Sequence, residues 1–337
     1  MAYQTGTASS IEDLVEKLKI FAAGLGTTPW TVDEWDPTNN QCTLHRGSCY
    51  VSFWWAESGT ALGIYQSLGF INTSTLAYNQ TDDSGNGATS TPITTGRRVN
   101  FTNGTGGGGS VNAGPYTAYH FFAGEGSTPY IYIVVEMSTG VYRHFGFGNL
   151  VKASDFTGGE FVYGHVWATD TNADAPSANA QCFLLDGLGN VPADQATMHL
   201  EGLPGQAVGS KWGVFYNTTT SIGNDRAGNA RLQLFGGARG GLYGYSLAWM
   251  RASQLAAHKL MIPVVAMLRS TAASPHTWRY LGEMPDVRLL NIHFFNPGDE
   301  ITVGADTYVV FPWVRKQYLV SNTEESWNAG VAYKKVV

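Results

Sequence analysis

The chain has 337 residues, which exceeds what one small hydrophobic core needs and suits two or three domains that each bury their own apolar side chains. Its formal net charge is -6 and only 20 residues are Lys or Arg, so the sequence offers no basic block that neutralises a run of phosphates. The charge therefore argues against a nucleic-acid partner.

Glycine and aromatic residues are the prominent features of the composition. The chain contains 41 Gly, 10 Trp, 17 Tyr and 16 Phe, whereas charged residues make up only 14%. Short aromatic strands joined by turns give this balance, while a disordered chain has few aromatic residues and a higher charge density. The composition therefore predicts a folded, β-rich protein.

Cysteine content and the N-terminal sequence bear on the compartment. Cys42, Cys49 and Cys182 are the only three cysteines, an odd and small number that argues against a disulfide framework and favours a reducing compartment. The N-terminus lacks a basic segment followed by an apolar one, and no run of about 18 apolar residues occurs. We therefore expect a soluble protein without a signal peptide and without membrane insertion.

The first predicted element is an amphipathic helix. Ser9 precedes Glu12 by three positions, which is the spacing of a capping box, and Gly24 provides a stop. Between these signals, apolar residues follow at helical spacing: Ile11, Leu14, Val15, Leu18, Phe21 and Ala22. This helix has one apolar face, which must pack on another element.

Three β-prone segments, residues 30–35, 48–55 and 62–70, follow the helix and predict a small sheet for its apolar face to pack on. Residues 1–85 are therefore expected to form a small N-terminal α/β module. The next stretch, residues 86–115, is rich in Gly, Ser and Thr, and it predicts a long loop or linker.

Strand patterns resume after the linker. YIYIVVEM and VYRHFGFG flank the short turn at residues 138–140 and predict a β-hairpin. Short strands continue through an expected central β-rich domain, residues 116–280, with one helical segment at 252–261. Residues 281–337 alternate well enough for at least three strands that pack on the central domain. The predicted fold class is α+β and mainly β, with the N-terminal α/β module followed by sandwich-like β-rich domains.

A glycine-rich match to the dinucleotide-binding fingerprint lies in the linker. Gly104, Gly106 and Gly109 satisfy G-x-G-x-x-G, but that motif works only where its glycines join a strand to a helix whose N-terminus faces the pyrophosphate. No helical pattern follows these glycines, so the sequence favours a flexible loop. We predict no cofactor.

Possible metal ligands are poorly arranged. Cys42, His45 and Cys49 lie close together, but a structural zinc site needs four ligands and only the distant Cys182 offers another thiolate. Buried thiols are the favoured interpretation. The segment 170–174 imitates the start of a calcium loop, but the glycine and the glutamate that complete this motif are missing. We therefore predict no metal site.

The stretch VYRHFGFGNLVKASDFTGG, residues 141–159, has the composition of a catalytic loop. Strand alternation places Arg143 on one face of the predicted hairpin and Tyr142 with His144 on the other. Arg143 and His144 therefore cannot form one local catalytic pair. The pattern favours a structural role over an active site.

Other features of the sequence also favour architecture. Gly146 and Gly148 are expected to let an aromatic ring or another backbone approach closely, and SDFTGG predicts a capped turn of helix. GYSLA around Ser246 imitates a nucleophile elbow, but Ala248 stands where the second glycine is needed. No catalytic residue is predicted.

Three stretches resemble virion structural proteins of tailed bacteriophages. They are YRHFGFGNLVKASDFTGGEFVYG (142–164), the opening MAYQTGTASSIEDLVEKLKIFAAGLG followed by WTVDEW (1–26 and 30–35), and PDVRLLNIHFFNPGDEITVGADTYVVFPWVRK (285–316). The resemblance implies a non-enzymatic component of the tail, neck or collar, or baseplate, assembled in the host cytoplasm. Its expected partners are other copies of itself and neighbouring virion proteins.

Two alternatives remain open, because Trp and Tyr also stack on sugar rings. The main alternative is a receptor-binding, lectin-like tail module that binds a host-surface glycan. The third is a glycan hydrolase of a tail. Saturable binding of the isolated chain to host cells or glycans distinguishes the binding module from an assembly subunit.

The resemblance also implies a homo-oligomer, since tail and neck structures are built around symmetry axes. We expect a subunit boundary near the Gly-rich loop at 103–114 or near exposed edges of the hairpin at 130–148. The candidate interaction residues are Tyr142, Arg143, His144, Gly104, Gly106 and Gly109.

Overall fold

The computed structural model describes residues 2–55, 61–73, 80–81, 97–101, 113–164, 198–202, 212–215, 230–234, 261–270, 277–292, 294–312 and 329–336. Within these ranges one α-helix accompanies nineteen strands, and every strand pairing is antiparallel. The predicted α+β, mainly β fold class is therefore confirmed.

The elements follow in chain order. They are β1 (Tyr3–Ala8), α1 (Ile11–Ala23), β2 (Thr31–Asp36), β3 (Gln41–Arg46), β4 (Cys49–Trp55), β5 (Ala61–Ser67), β6 (Arg97–Asn100), β7 (Tyr116–Ala123), β8 (Tyr130–Ser138), β9 (Val141–Asn149), β10 (Val151–Lys152), β11 (Glu160–Gly164), β12 (Met198–Glu201), β13 (Trp212–Phe215), β14 (Ala230–Leu234), β15 (Ile262–Ser270), β16 (Thr277–Asn291), β17 (Glu300–Val303), β18 (Asp306–Pro312) and β19 (Ala329–Lys335).

The strands form three sheets. The central sheet has the order β1-β7-β8-β9-β11-β12-β13, and the N-terminal sheet has the order β2-β3-β4-β5-β6. The C-terminal sheet has the order β14-β15-β16-β19-β18-β17, and β10 pairs with β16 beside this path. The hairpin predicted around the turn at 138–140 is β8 and β9, in the middle of the central sheet.

The central sheet is buried on both faces. Along β8, Ile131 and Ile133 belong to the apolar cluster shared with α1 and the N-terminal sheet. Tyr130 and Tyr132 alternate with them and belong to the cluster shared with the C-terminal sheet. Since a strand directs successive side chains to opposite faces, a strand between two layers is apolar at almost every position. This explains the unbroken YIYIVVEM run and makes the fold a layered sandwich.

The helix forms as predicted, but its cap is shifted by one residue. The N-cap is Ser10, whose side chain accepts a hydrogen bond from the Asp13 backbone N–H at 3.1 Å. Asp13 Oδ2 in turn accepts from the Ser9 backbone N–H at 2.7 Å. The predicted pairing of Ser9 with Glu12 is therefore wrong, because Asp13 supplies a carboxylate at the same spacing from Ser10. The predicted stop at Gly24 is confirmed.

Sheet membership does not follow the predicted boundaries at residues 85 and 115. Strand β1 pairs with β7, so the first residues of the chain join the central sheet. Strand β6 lies in the predicted linker and pairs with β5 of the N-terminal sheet. Helix α1 nevertheless packs in one cluster with the N-terminal sheet, as the sequence predicts.

Other local predictions have different outcomes. In place of the predicted helical turn in SDFTGG, a tight turn is closed by a 3.1 Å hydrogen bond from the Phe156 N–H to the Ala153 carbonyl. The glycines that follow do not continue a helix, and Gly159 has a φ of +126°. The helical segment predicted at 252–261 lies almost entirely outside the described residues. Among the helical residues described, none belongs to a segment long and apolar enough to span a membrane.

Candidate functional site

The catalytic-looking stretch at residues 141–149 is strand β9, and its histidine is part of the core. His144 is fully buried. Its Nε2 lies 3.0 Å from the Pro312 carbonyl oxygen and its Nδ1 lies 3.0 Å from the Tyr333 hydroxyl. Because a carbonyl can only accept, Nε2 carries the proton and Nδ1 accepts from Tyr333. Both ring nitrogens are thus occupied by the protein itself.

Burial also makes His144 unsuitable as a proton acceptor at neutral pH. The pKa of His144 is lowered to about 3, mainly by removal from water and also by the charge of Arg143, against the raising effect of the Pro312 hydrogen bond. The imidazole is therefore neutral and acts as a hydrogen-bonding strut between β9 and the C-terminal sheet.

The residues beside His144 are also enclosed. Tyr142 and Arg143 are each only 5% exposed. The Tyr142 hydroxyl donates to Glu136 Oε1 at 3.2 Å, and Arg143 Nη1 donates to the Tyr142 carbonyl at 3.0 Å. A direct interaction role for these side chains does not fit their burial, because they leave little surface for a partner to contact.

The predicted close approach at the β9 glycines is confirmed. A Cβ atom on Gly146 would lie 2.8 Å from ring atoms of both Tyr132 and Tyr163. A Cβ on Gly148, whose φ is +149°, would lie 2.4 Å from the Pro129 carbonyl oxygen. These glycines let aromatic rings and backbone pack directly on β9.

The expectation of exposed hairpin edges is wrong. Strand β8 pairs with β7 as well as with β9, and β9 pairs with β11 on its other side. The hairpin is therefore interior to the sheet, because strands on both sides satisfy its backbone hydrogen bonds. The other predicted interaction residues, Gly104, Gly106 and Gly109, lie outside the described residues.

The cysteine and histidine near β3 do not converge. Cys42 and Cys49 are buried and not disulfide-bonded. His45 points elsewhere, with its Nδ1 2.7 Å from Asp33 Oδ2 and its ring stacked on Tyr50. In the described part of the chain, no group of three or more His, Cys, Asp or Glu side chains is placed to hold a metal ion. Cys182, the calcium-like segment and Ser246 lie outside the described residues.

A row of polar side chains crosses three adjacent strands of the central sheet, β9, β11 and β12. Asn149 at the end of β9 lies opposite Glu160 at the start of β11. Pairing of Phe161 with Leu200 places Glu201 of β12 next along the row, and the Gly159 N–H donates to the Glu201 carbonyl at 3.2 Å. Three adjacent strands therefore contribute one oxygen-bearing side chain each.

This row lines a cleft of about 320 Å³. We call it the Glu160 cleft. Its walls are Ser48, Ser127, Thr128, Pro129, Asn149, Leu150, Val151, Lys152, Thr157, Gly158, Glu160 and Glu201. The volume is within the range of small-molecule sites in proteins.

Glu160 is a buried carboxyl group in the lining of the cleft. The residue is only 7% exposed. The pKa of Glu160 is raised to about 7, mainly by burial and also by the nearby charge of Glu201, while a hydrogen bond from Ser48 and the charge of Lys152 act in the opposite direction. This carboxyl group therefore changes its charge near neutral pH.

Two oxygen atoms in the row have no hydrogen-bond donor among the described residues: Glu160 Oε2 and Asn149 Oδ1. The amino group of Lys152 donates instead to the carbonyls of Thr157 at 3.2 Å and Gly158 at 3.0 Å. The residues that line the cleft thus include two buried acceptor atoms, and buried acceptors without donors are costly.

A second polar layer lies behind the row. Gln66 Nε2 is 3.0 Å from Cys49 Sγ and 3.5 Å from the Gly148 carbonyl oxygen. Burial raises the pKa of the Cys49 thiol well above its usual range, and the charge of Glu160 adds to this shift. Cys49 is therefore a neutral thiol, and it adds no charge beside Glu160.

Sequence reasoning did not find this site. Glu160 and Glu201 each stand at the end of a short apolar strand, where a charged residue is ordinary. Their proximity depends on the pairing of β11 with β12 across a long sequence separation. The only local signal is a carboxylate directly before the apolar FVY of β11, a strand buried at all five positions.

Comparisons with known proteins add no family assignment: no protein-family model matches the chain, and no match was found among curated proteins.

Proposed function

We propose that this chain is a structural subunit of a tailed-bacteriophage virion. It belongs to the tail, the neck or collar, or the baseplate, and it acts through contacts with its own copies and with neighbouring virion proteins. The subunit has no catalytic role in this proposal, and it assembles in the host cytoplasm.

The observation that carries the proposal is how the three phage-like stretches meet. Trp30 of the opening stretch packs edge-on against Phe147 of the middle stretch, with 5.2 Å between ring centroids. His144 of the middle stretch donates to Pro312 of the ending stretch at 3.0 Å. Residues of the three stretches therefore contact one another between the sheets of one fold. A resemblance that lies in such structural residues is expected between subunits of related assemblies.

Two edge strands offer surfaces for such assembly. In the described strand order, β2 ends the N-terminal sheet and β17 ends the C-terminal sheet. Val32 on β2 is 36% exposed and Val303 on β17 is 48% exposed. An edge strand with an outward apolar side chain suits pairing with a neighbouring chain. Contacts through both outer sheets would let one subunit join two neighbours.

Purified phage particles provide the test. We expect mass spectrometry to find the chain in particles banded on a density gradient, and a cryo-EM map to place several symmetry-related copies in the tail, neck or baseplate. Particles that lack the chain after such purification would refute the structural role. A map with one isolated copy would refute the homo-oligomer.

A further inference from the structure

The lining of the Glu160 cleft includes hydrogen-bond acceptors that lack donors. Glu160 Oε2 and Asn149 Oδ1 are buried, and no described residue donates to either of them. Both residues line the same cleft, and Glu160 is more than nine-tenths buried. A ligand that fits must therefore bring several N–H or O–H groups to neighbouring positions.

The charges of the cleft narrow the class of ligand. Glu160 and Glu201 are carboxyl groups on adjacent strands, and the charge of Glu201 disfavours ionisation of Glu160. Lys152 is the cation of the lining, but its ammonium donates to the Thr157 and Gly158 carbonyls. A positively charged ligand would offset the repulsion between the two carboxylates, whereas an anion would be repelled by both of them.

We infer that the Glu160 cleft binds a guanidinium group. A guanidinium is planar, and its five N–H donors match a carboxylate through two parallel hydrogen bonds. Glu160 supplies the carboxylate, Asn149 Oδ1 accepts from a further N–H, and Glu201 lies on the same row to balance the charge. The volume of about 320 Å³ accommodates the group with the methylene chain that carries it.

Two other classes fit less well. A calcium ion takes six to eight oxygen ligands, while the described residues offer no cluster of three or more acidic, His or Cys side chains. A sugar ring usually stacks on an aromatic side chain, and none of the residues that line the cleft is aromatic. Both remain outcomes that the experiment below separates.

Binding should depend on pH through several groups around Glu160. Glu201 faces it from β12, Lys152 from β10 and Ser48 from the turn before β4, with the neutral thiol of Cys49 behind. With a Glu160 pKa of about 7, ionisation is nearly complete at pH 8 and slight at pH 5.5. If the ionised form binds the guanidinium, affinity falls about thirtyfold between these pH values.

The test is an NMR titration of the full chain with N-methylguanidinium at pH 8. We expect saturable binding, about thirtyfold weaker at pH 5.5, and at least about tenfold weaker in Glu160→Gln, which keeps the shape of the side chain. Glu201→Gln should weaken binding less. Glu16→Gln on the exposed side of α1 removes the same charge far from the cleft and should leave the dissociation constant unchanged.

Neutral and sugar probes complete the design. N-methylurea has a similar shape without charge and should not saturate the site, and neither should lactose or calcium. Equal affinity for N-methylurea, equal affinity in Glu160→Gln, or binding of lactose or calcium without N-methylguanidinium would overturn the inference. Tighter binding of an acetylated, amidated arginine than of agmatine would indicate a protein-borne arginine as the source, and the reverse order would indicate a free ligand.

This inference does not rest on the virion role. Absence of the chain from particles would leave the titration unaffected, and a failed titration would leave the particle composition unaffected.

Discussion

His144 and Glu160 are two buried ionisable residues on neighbouring strands of the same sheet. His144 lies on β9 and is 0% exposed, and Glu160 lies on β11 and is 7% exposed. The imidazole has a partner for each nitrogen, Pro312 and Tyr333. The carboxyl group has one oxygen without a donor among the described residues, and a like charge nearby. Burial alone therefore does not distinguish a structural residue from a residue of a binding site. The two differ in whether the protein itself supplies all of their hydrogen-bond partners.

The two residues also respond to pH in opposite directions. The folded-state pKa of His144 is lowered from 6.5 to about 3. Its contribution to the free energy of unfolding is therefore fully present above pH 6.5 and is lost as the pH falls towards 3. The folded-state pKa of Glu160 is raised from 4.5 to about 7, so its contribution is present below pH 4.5 and is lost as the pH rises through 7. Between pH 4.5 and 6.5, a rise in pH therefore increases the contribution of His144 to the free energy of unfolding and decreases that of Glu160.

Replacement of the strut should have the largest effect. His144→Ala removes two hydrogen bonds, leaves the Pro312 carbonyl and the Tyr333 hydroxyl without this partner, and opens a cavity between two sheets. We expect a loss of about 3–5 kcal/mol in the free energy of unfolding at pH 7, measured by urea denaturation. The matched control is His45→Ala, whose part-buried hydrogen bond with Asp33 is expected to contribute about 1 kcal/mol. Equal losses in the two variants would contradict the comparison.

Replacement of the site carboxyl should have the opposite sign. Above pH 7 the folded protein bears a buried Glu160 carboxylate, which is less favourable than the same group in the unfolded chain. Glu160→Gln removes this cost, so we expect the free energy of unfolding to rise by about 2–3 kcal/mol at pH 8. The gain should vanish at pH 4, where the carboxyl is protonated in both states.

Glu16→Gln provides the control for that measurement, since its exposed carboxylate should change stability by less than about 0.5 kcal/mol at either pH. If Glu160→Gln is no more stable than the parent protein at pH 8, the carboxyl is better solvated than the cleft geometry indicates. A gain in stability on removal of a buried group is the pattern expected where a site is kept for binding.

The strut was within reach of sequence reasoning because its evidence is local. Period-two alternation along VYRHFGFG correctly separated Arg143 from His144, and the glycines correctly indicated close approach. Strand β3, QCTLHR, was missed because its polar residues look like a loop. In the sheet, partners on adjacent strands satisfy them, as in the 2.9 Å contact between Thr43 and Ser52.

The cleft was out of reach because its evidence is not local. Asn149, Glu160 and Glu201 become neighbours only through the register of β9, β11 and β12. No periodicity within one strand fixes which strands pair, and the connection between β11 and β12 is long. A sequence shows which side chains will be buried more readily than which of them will lack a partner.

Replacement of Asn149 should have the smallest effect, and it tests whether a buried side chain without a hydrogen-bond donor contributes to stability. Asn149 Oδ1 is buried without a donor among the residues that the structure describes, so its removal sacrifices no hydrogen bond at that atom. The Asn149 backbone N–H keeps its 2.7 Å bond to the Pro129 carbonyl in any variant. Removal of this unpartnered acceptor relieves a desolvation cost that offsets the packing lost with the side chain, so we expect Asn149→Ala to change the free energy of unfolding by less than about 0.5 kcal/mol. Gln41→Ala is the matched control: its buried amide donates to Glu34 at 2.9 Å, and its loss should cost about 1–3 kcal/mol. A loss of stability in Asn149→Ala as large as that in Gln41→Ala would mean that Asn149 has a structural role, as His144 does. The candidate site would then consist of Glu160 on β11 and Glu201 on β12, without a contribution from β9.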